Sequence, residues 1–545
     1  MLSRCAPAVL RPHRDRRHAA ILTALVVCLL AAGPALADGG SLRVGTCQRD
    51  ITPITPALQA AYAAAFGAAG AVNHTDPVFL AGFGDNRRAT GYHDRLWARG
   101  VVLDSKGVRV AIVAVDLIGY FKNEVDTARA LVSPDADVDF VVVTSTHQHE
   151  GPDTLGIWGP DATTSGIDYG YLDFVNGAIA DCVDDAAAAL QPARVYYATA
   201  NSAGLSLGTD AEDDGFGVSD GKVLAGDAAL APATQGRIVD PNLAAMQLTT
   251  REEPFSVIAT LVNFGSHPES LGSNNPLVTS DFPHFVRERL EAEYGGLALW
   301  VSGDLGVLQG PLDIDVLDPS TGAAAPRRTF RFAEVHGTQL AERAIGALDA
   351  VRLGPDGLPS PRNGEPAPKI GFSRVDPVAV RLDNPFFRFF IALGVLDVRR
   401  SLFTGGVPDA STGTLPPPAD FLPAAAGEDL HTEVSALRIG EGAFAVVPDE
   451  LDPQIGFGYR DALAAATGAG HTFIAGLGND EIGYQVPFAK WDDSCHACAS
   501  FIILGVPQFC PLFPNIDCNT VFQNNVGRQV DPAVSGALLD AIDGL

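Results

Sequence analysis

Short, nearly continuous apolar runs punctuate the chain at residues 42–45, 100–103, 108–115, 140–144, 194–199, 255–264 and 297–301. They are rich in β-branched residues and lack polar alternation, so each predicts a strand buried on both faces. Between them, Ala- and Glu-rich segments with apolar residues at helical spacing predict helices over 123–131, 172–190, 282–294 and 332–351. Two more strand-like runs follow at 443–447 and 473–475, the first leading into a helical pattern that begins Asp452-Pro453. Strands interleaved with helices predict an α/β, mixed α+β, fold with a layered sheet core flanked by helices. Three stretches read as surface insertions: the acidic, Gly-rich 210–227, then 353–368, then the Gly- and Pro-rich 405–427. None separates two cores, so residues 38–545 are expected to form a single domain.

The N-terminus departs from this pattern. Arg4, Arg11, Arg14, Arg16 and Arg17 precede an apolar run over 19–32, which ends in the small-residue pattern Ala35-Leu36-Ala37. That order is the mark of a signal peptide over 1–37, and the run is shorter than the roughly 20 residues a spanning helix needs. The protein is therefore expected to be exported, either secreted or periplasmic. Without the leader, Cys47, Cys182, Cys495, Cys498, Cys510 and Cys518 remain, an even set that suits disulfides in an oxidising compartment. A structural zinc site on the last four is the rival reading, although its second pair is spaced too widely. The formal net charge of -28 argues against a nucleic-acid partner, because a polyanion would be repelled over most of the surface. Two apolar patches, 385–396 with four phenylalanines and 501–513, read either as core or as a lipid-facing rim suited to peripheral membrane contact.

Candidate chemistry collects where strands end, which is where ligands bind in α/β sheets. The strand at 140–144 runs into Thr146-His147-Gln148-His149-Glu150-Gly151-Pro152. In an extended backbone His147 and His149 would point the same way, one to bind a metal and one to lie beside whatever the metal activates. The strand at 255–264 ends in Gly265-Ser266-His267-Pro268-Glu269-Ser270, and imidazole is the commonest protein ligand for zinc. The run 443–447 leads into Pro448-Asp449-Glu450, where Glu450 either caps the next helix or completes a two-His, one-carboxylate site. The run 473–475 leads into Gly476-Leu477-Gly478-Asn479-Asp480-Glu481-Ile482-Gly483-Tyr484.

Taken in order, these four strand ends resemble the catalytic domain of the neutral ceramidase family. Thr146 to Pro152 matches its Thr-His-x-His-x-Gly-Pro run, Asn263 to His267 its Asn-x-x-x-His segment, Pro448 to Glu450 its Pro-x-Glu, and Asn479 to Tyr484 its Asn-x-x-x-x-Tyr. The resemblance runs from about residue 42 to the end. It implies one Zn2+ per chain held by His147, His267, Glu450 and Tyr484, with His149 beside the reacting water or oxyanion. It also implies hydrolysis of an N-acyl amide bond in a lipid-like substrate. His149 or His496 would protonate the leaving amine, and Asp116, Asp281 and Asp304 would either accept hydrogen bonds from ligand N–H groups or serve as turn and cap residues. Three departures stand out: Gly306 replaces a family serine, Asn201-Ser202-Ala203 lacks a family arginine, and His496 falls near a position where the family has tyrosine. A C-terminal immunoglobulin-like domain, common in the family, is not matched.

Two rivals remain on sequence alone. One is an exported lipid-binding homologue without turnover. The other is a serine esterase using Ser206, since Gly204-Leu205-Ser206-Leu207-Gly208 and Gly217-Val218-Ser219-Asp220-Gly221 both satisfy the short Gly-x-Ser-x-Gly pattern, although neither is followed by the helical pattern a nucleophile elbow needs.

Overall fold

In the computed structural model, residues 40–207, 238–306, 309–312, 314–384, 387, 390–391, 393–404, 407–408, 428–488 and 526–545 are described. The first ten strands are β1 (Arg43–Asp50), β2 (Gly91–Tyr92), β3 (Trp97–Ser105), β4 (Val108–Val115), β5 (Phe140–Ser145), β6 (Gln191–Asn201), β7 (Asn242–Thr250), β8 (Val257–Phe264), β9 (Leu277–Val278) and β10 (Leu297–Ser302). Eight of them make a mixed sheet in the order β10-β8-β7-β6-β1-β3-β4-β5, while β2 pairs with β9. A second sheet takes β11 (Ile370–Arg381), β12 (Leu402–Thr404), β13 (Val407–Pro408), β14 (Glu428–Ile439), β15 (Gly442–Val446) and β17 (His471–Ala475), while β16 (Glu450–Leu451) pairs with β18 (Tyr484–Gln485). Helices are α1 (Gln59–Phe66), α2 (Lys122–Leu131), α3 (Tyr169–Ala188), α4 (Phe282–Tyr294), α5 (Phe330–Arg352), α6 (Pro453–Thr467) and α7 (Val530–Asp543).

The unbroken apolar character of the central strands has a direct cause. Val110 and Ile112 of β4 share one core with Leu437, Phe444 and Phe473 of the second sheet. Their neighbours Ala111, Val113 and Val115 share another with Leu172, Val175 and Ile179 of α3. Both faces of the larger sheet are therefore covered, one by the second sheet and one by helices, with α4 and α5 packed over β8 and β10. The outer face of the second sheet is covered by α6 and α7, giving helix, sheet, sheet and helix layers within one compact unit, Ser41–Leu545.

Mixed layering agrees with the sequence expectation, but its two-sheet division does not emerge from the apolar runs. Strand β7 reads Asn-Leu-Ala-Ala-Met-Gln-Leu-Thr-Thr, whose Ala, Met and Gln favour helix, yet it pairs with both β6 and β8 and is buried on both faces. Strands β11 and β14 alternate polar and apolar residues and carry no continuous run. Residues 353–368 are only partly a surface insertion, because Glu365 exchanges backbone hydrogen bonds with Val195, and Leu42 N–H donates to Pro366. Of the cysteines, Cys47 on β1 and Cys182 on α3 form a disulfide that ties helix to sheet. The expected leader, the 210–227 insertion, nearly all of 405–427, His496, the last four cysteines and the 501–513 patch lie outside the described residues.

Parallel pairing brings the chemistry together. Strands β4 and β5, β8 and β10, and β15 and β17 run parallel, so the C-terminal ends lie side by side within each pair, and contacts between the pairs bring these ends together. The two sheets are stitched there: Ser145 N–H donates to Leu477 at 3.1 Å, Gly476 N–H donates to Ser302 at 3.0 Å, and the Asn263 amide donates to both Val301 and Ile474.

Candidate metal centre

The four strand ends quoted from the sequence meet in one buried cluster. His147 does not sit in extended backbone as expected: β5 stops at Ser145, and His147 has φ +62°, in the left-handed region. Such a conformation costs on the order of 1–3 kcal/mol for a residue other than glycine, and the surroundings over-determine it. Its N–H donates to Leu117 at 2.9 Å and its Nδ1–H to Ile118 at 2.6 Å. A tight turn, not strand alternation, therefore brings the His147 and His149 rings to 4.9 Å between centroids.

His267 leaves β8 and donates its Nδ1–H to the Gln309 carbonyl at 3.0 Å. In both His147 and His267 the backbone carbonyl fixes the tautomer and leaves Nε2 to face the centre. Those two atoms converge on one oxygen: Glu450 Oε2 lies 2.9 Å from His267 Nε2 and 3.4 Å from His147 Nε2. Tyr484 enters through the β16–β18 pairing, in which it is the direct partner of Glu450, and its hydroxyl lies 3.4 Å from His267 Nε2. Ligands about 2.0–2.1 Å from a tetrahedral zinc stand roughly 3.3 Å apart, so the spacing of these four side chains fits that ion. Among the described residues, His147, His149 and His267 also form a buried group whose ligand atoms lie within 4.8 Å of one another.

Electrostatics fit a cation as well. Burial alone would raise the Glu450 carboxyl, but the His147 and His267 imidazoles outweigh it and hold it well below the usual carboxylate range. Burial likewise opposes ionisation of Glu269, yet His149 beside it brings it down to about 2. Burial lowers His149 to about 4 against the opposing pull of Glu269, so the ring is neutral near pH 7. Burial and the charge of Glu450 push the Tyr484 phenol well above 10, and a cation at the centre is the charge that reverses this.

The centre forms the floor of a cavity of ≈ 390 Å³ whose walls include Phe83, Phe121, Leu155, Trp158, Phe387 and Leu396. Part of the 385–396 patch thus lines the cavity through Phe387 and Leu396. Val395 of the same patch is buried in the core. No Arg or Lys lines the cavity among the described residues. Asn201-Ser202-Ala203 instead makes a turn, with Ser202 donating to Pro241.

The three aspartates take turn, cap and ion-pair roles, not ligand support. Asp116 is locked in a two-pronged pair with Arg287 at 2.7 and 3.0 Å, Asp281 caps α4 at Phe282 N–H, and Asp304 pairs with Arg460 at 3.2 Å. The carboxylates of Asp116 and Asp281 are committed elsewhere, one oxygen of Asp304 is held by Arg460, and the Nδ1–H groups of His147 and His267 go to the carbonyls of Ile118 and Gln309. Gly306, at the family's serine position, has no room for a side chain: a Cβ there would stand 2.5 Å from the Glu450 carbonyl oxygen. Ser206 is buried, and its hydroxyl has no hydrogen-bond partner, histidine included, among the described residues.

Sequence reasoning missed several neighbours. Glu269 lies 3.0 Å from His149, and Gly82 passes directly beneath the His149 ring. Arg87 clamps the loop by donating to the His149 carbonyl at 3.0 Å and to Glu150 at 2.6 Å. Glu269 stood in a quoted segment, but a single acidic residue in a turn has many uses; Gly82 and Arg87 carry no local signal.

No family model matches the chain, and no curated protein sequence does. Solved structures share its fold, two ceramidases among them. Neutral ceramidase from Pseudomonas aeruginosa superposes with a TM-score of 0.61 at 16% identity, over 93% of this chain and 74% of that one. A ceramidase complexed with C2 gives a TM-score of 0.62 at 16% identity, over 93% and 75%.

Proposed function

We propose that this protein is an exported, zinc-dependent hydrolase of an N-acyl amide bond in a lipid-like substrate, acting on ceramide or a close analogue. The observation that carries the reading is the convergence of His147, His267, Glu450 and Tyr484 at metal-ligand spacing on the floor of a largely apolar cavity. The shared fold with ceramidase structures supports the amide-lipid substrate class. The Cys47–Cys182 disulfide supports an oxidising compartment.

Zinc bound by the four side chains supplies a Lewis acid and a water that is nucleophilic near neutral pH. The chain's own residues do the rest. Phe83, Phe121, Leu155 and Leu396 take up an acyl chain and exclude bulk water, which strengthens every polar contact at the floor. His149, buried at the edge of the centre, lies beside the reacting water or oxyanion. The departing amine takes its proton from His149 or His496.

The test is a panel of N-acyl sphingoid, N-acyl amino acid and simple ester substrates offered to the zinc-loaded protein. Hydrolysis of the N-acyl sphingoid amide is expected. Lipid binding with no turnover on any member contradicts the proposal, as does activity that survives zinc removal and is lost in Ser206→Ala.

A further inference from the structure

Glu269 follows β8 two residues after His267, is buried, and lines the cavity floor. Its Oε1 lies 3.0 Å from His149 Nδ1. The approach is close but bent, short of the alignment of a full hydrogen bond; catalytic contacts of this kind tighten when substrate is bound. The other ring nitrogen, Nε2, is buried without a hydrogen-bond partner among the described residues. The ring cannot swing away. Gly82 runs beneath it with φ +95°, so near that a Cβ would stand 2.3 Å from the imidazole, and Phe83 meets it edge-on at 5.0 Å. One nitrogen thus faces a carboxylate, the other is left open, and the plane between them is fixed.

We propose that Glu269 is a positioning residue for His149: by taking the Nδ1–H it sets the tautomer and heading of the ring and leaves the Nε2 lone pair to accept a hydrogen bond from the attacking water. This rests on the hydrolase reading and sharpens it. A histidine held in that tautomer has no Nε2–H to offer an oxyanion at the start, so His149 works first on the water side of the reaction and can give a proton to the departing amine only after Nε2 has taken one from the water. The carboxylate–histidine pairing follows the logic by which a buried acid orients a catalytic imidazole without itself touching substrate.

The experiment compares full-length, zinc-loaded wild type with Glu269→Gln, Glu269→Asp, His149→Ala and the Glu269→Gln/His149→Ala double variant. It reads zinc per chain, kcat and KM on an N-acyl sphingoid amide, and the His149 tautomer by NMR of histidine-labelled protein. Glu269→Gln is expected to keep its zinc, hold KM within about threefold and lose roughly 10–100-fold in kcat. Glu269→Asp is expected to recover part of that loss. In the double variant, Glu269→Gln is expected to add nothing to the loss from His149→Ala, because its effect passes through that ring. The Nδ1–H tautomer is expected in wild type and not in Glu269→Gln. A Glu269→Gln enzyme within about twofold of wild type, an unchanged tautomer, full additivity with His149→Ala, or zinc lost together with activity would each overturn the assignment. Wild type that binds zinc but hydrolyses nothing contradicts the hydrolase reading alone, and the tautomer comparison still decides the part played by Glu269.

Discussion

Gly82 and His149 are packed so closely that a methyl group at position 82 would lie 2.3 to 2.5 Å from the Cγ, Cβ and Nδ1 of the ring. With φ +95° at Gly82 as well, Gly82→Ala must move the imidazole, the backbone or both. Displacement of a catalytic group by about 1 Å lowers turnover on the order of 100-fold. The expected result is that loss in kcat with zinc content retained, read by steady-state kinetics beside metal analysis. Unchanged kcat would show that His149 has no fixed place in the reaction.

Gly306 yields a second prediction at the position where the resembling family has serine. Its N–H donates to Leu451 at 2.8 Å, and a Cβ would meet the backbone of Glu450 and Leu451 at 2.5 to 2.6 Å. Gly306→Ser is therefore expected to lower stability by about 1–3 kcal/mol and weaken zinc binding by shifting Glu450, not to raise activity. Denaturant unfolding and zinc titration check both effects.

Asp116 is a structural anchor on this account. Its pair with Arg287 is buried, so Asp116→Ala leaves an uncompensated guanidinium and is expected to cost about 3–5 kcal/mol. Folded variant protein is expected to hold zinc as wild type does. Selective zinc loss with unchanged stability would return Asp116 to a metal-supporting role.

His336 provides a pH prediction remote from the proposed metal ligands. Its Nε2–H donates to Leu205 at 2.7 Å between Phe282 and Phe332, and burial lowers its pKa from 6.5 to about 4. Between those values the unfolded chain binds a proton that the folded chain refuses, so stability rises with pH across that window. The contribution is complete above pH 6.5 and is lost as pH falls toward 4, amounting to about 3 kcal/mol. In His336→Gln, the stability difference between pH 7 and pH 4 should shrink by that order, measured by urea unfolding.

Much of this was legible in the sequence, for identifiable reasons. Strands β4, β5 and β8 are buried on both faces and therefore read as unbroken apolar runs. Helix α4 is framed by Asp281 at its start and Gly295 at its end. The centre was legible because its members follow strand ends, where sequence order and spatial convergence coincide. Strand β7 was hidden by helix-favouring residues in a strand held by its neighbours, and β11 and β14 by polar positions that interrupt the apolar pattern. The turn at His147 and the approach of Gly82 to His149 join segments 65 or more positions apart or depend on a single dihedral, and neither leaves a periodic trace.

The central claim is a zinc centre held by His147, His267, Glu450 and Tyr484 with His149 apart from the ligand set. It is tested most directly by zinc per chain in purified wild type, His147→Ala, His267→Ala and His149→Ala. About one zinc is expected in wild type and in His149→Ala, and close to none in the other two. A wild type that takes up no zinc, or loss of the metal in all three variants, would contradict it.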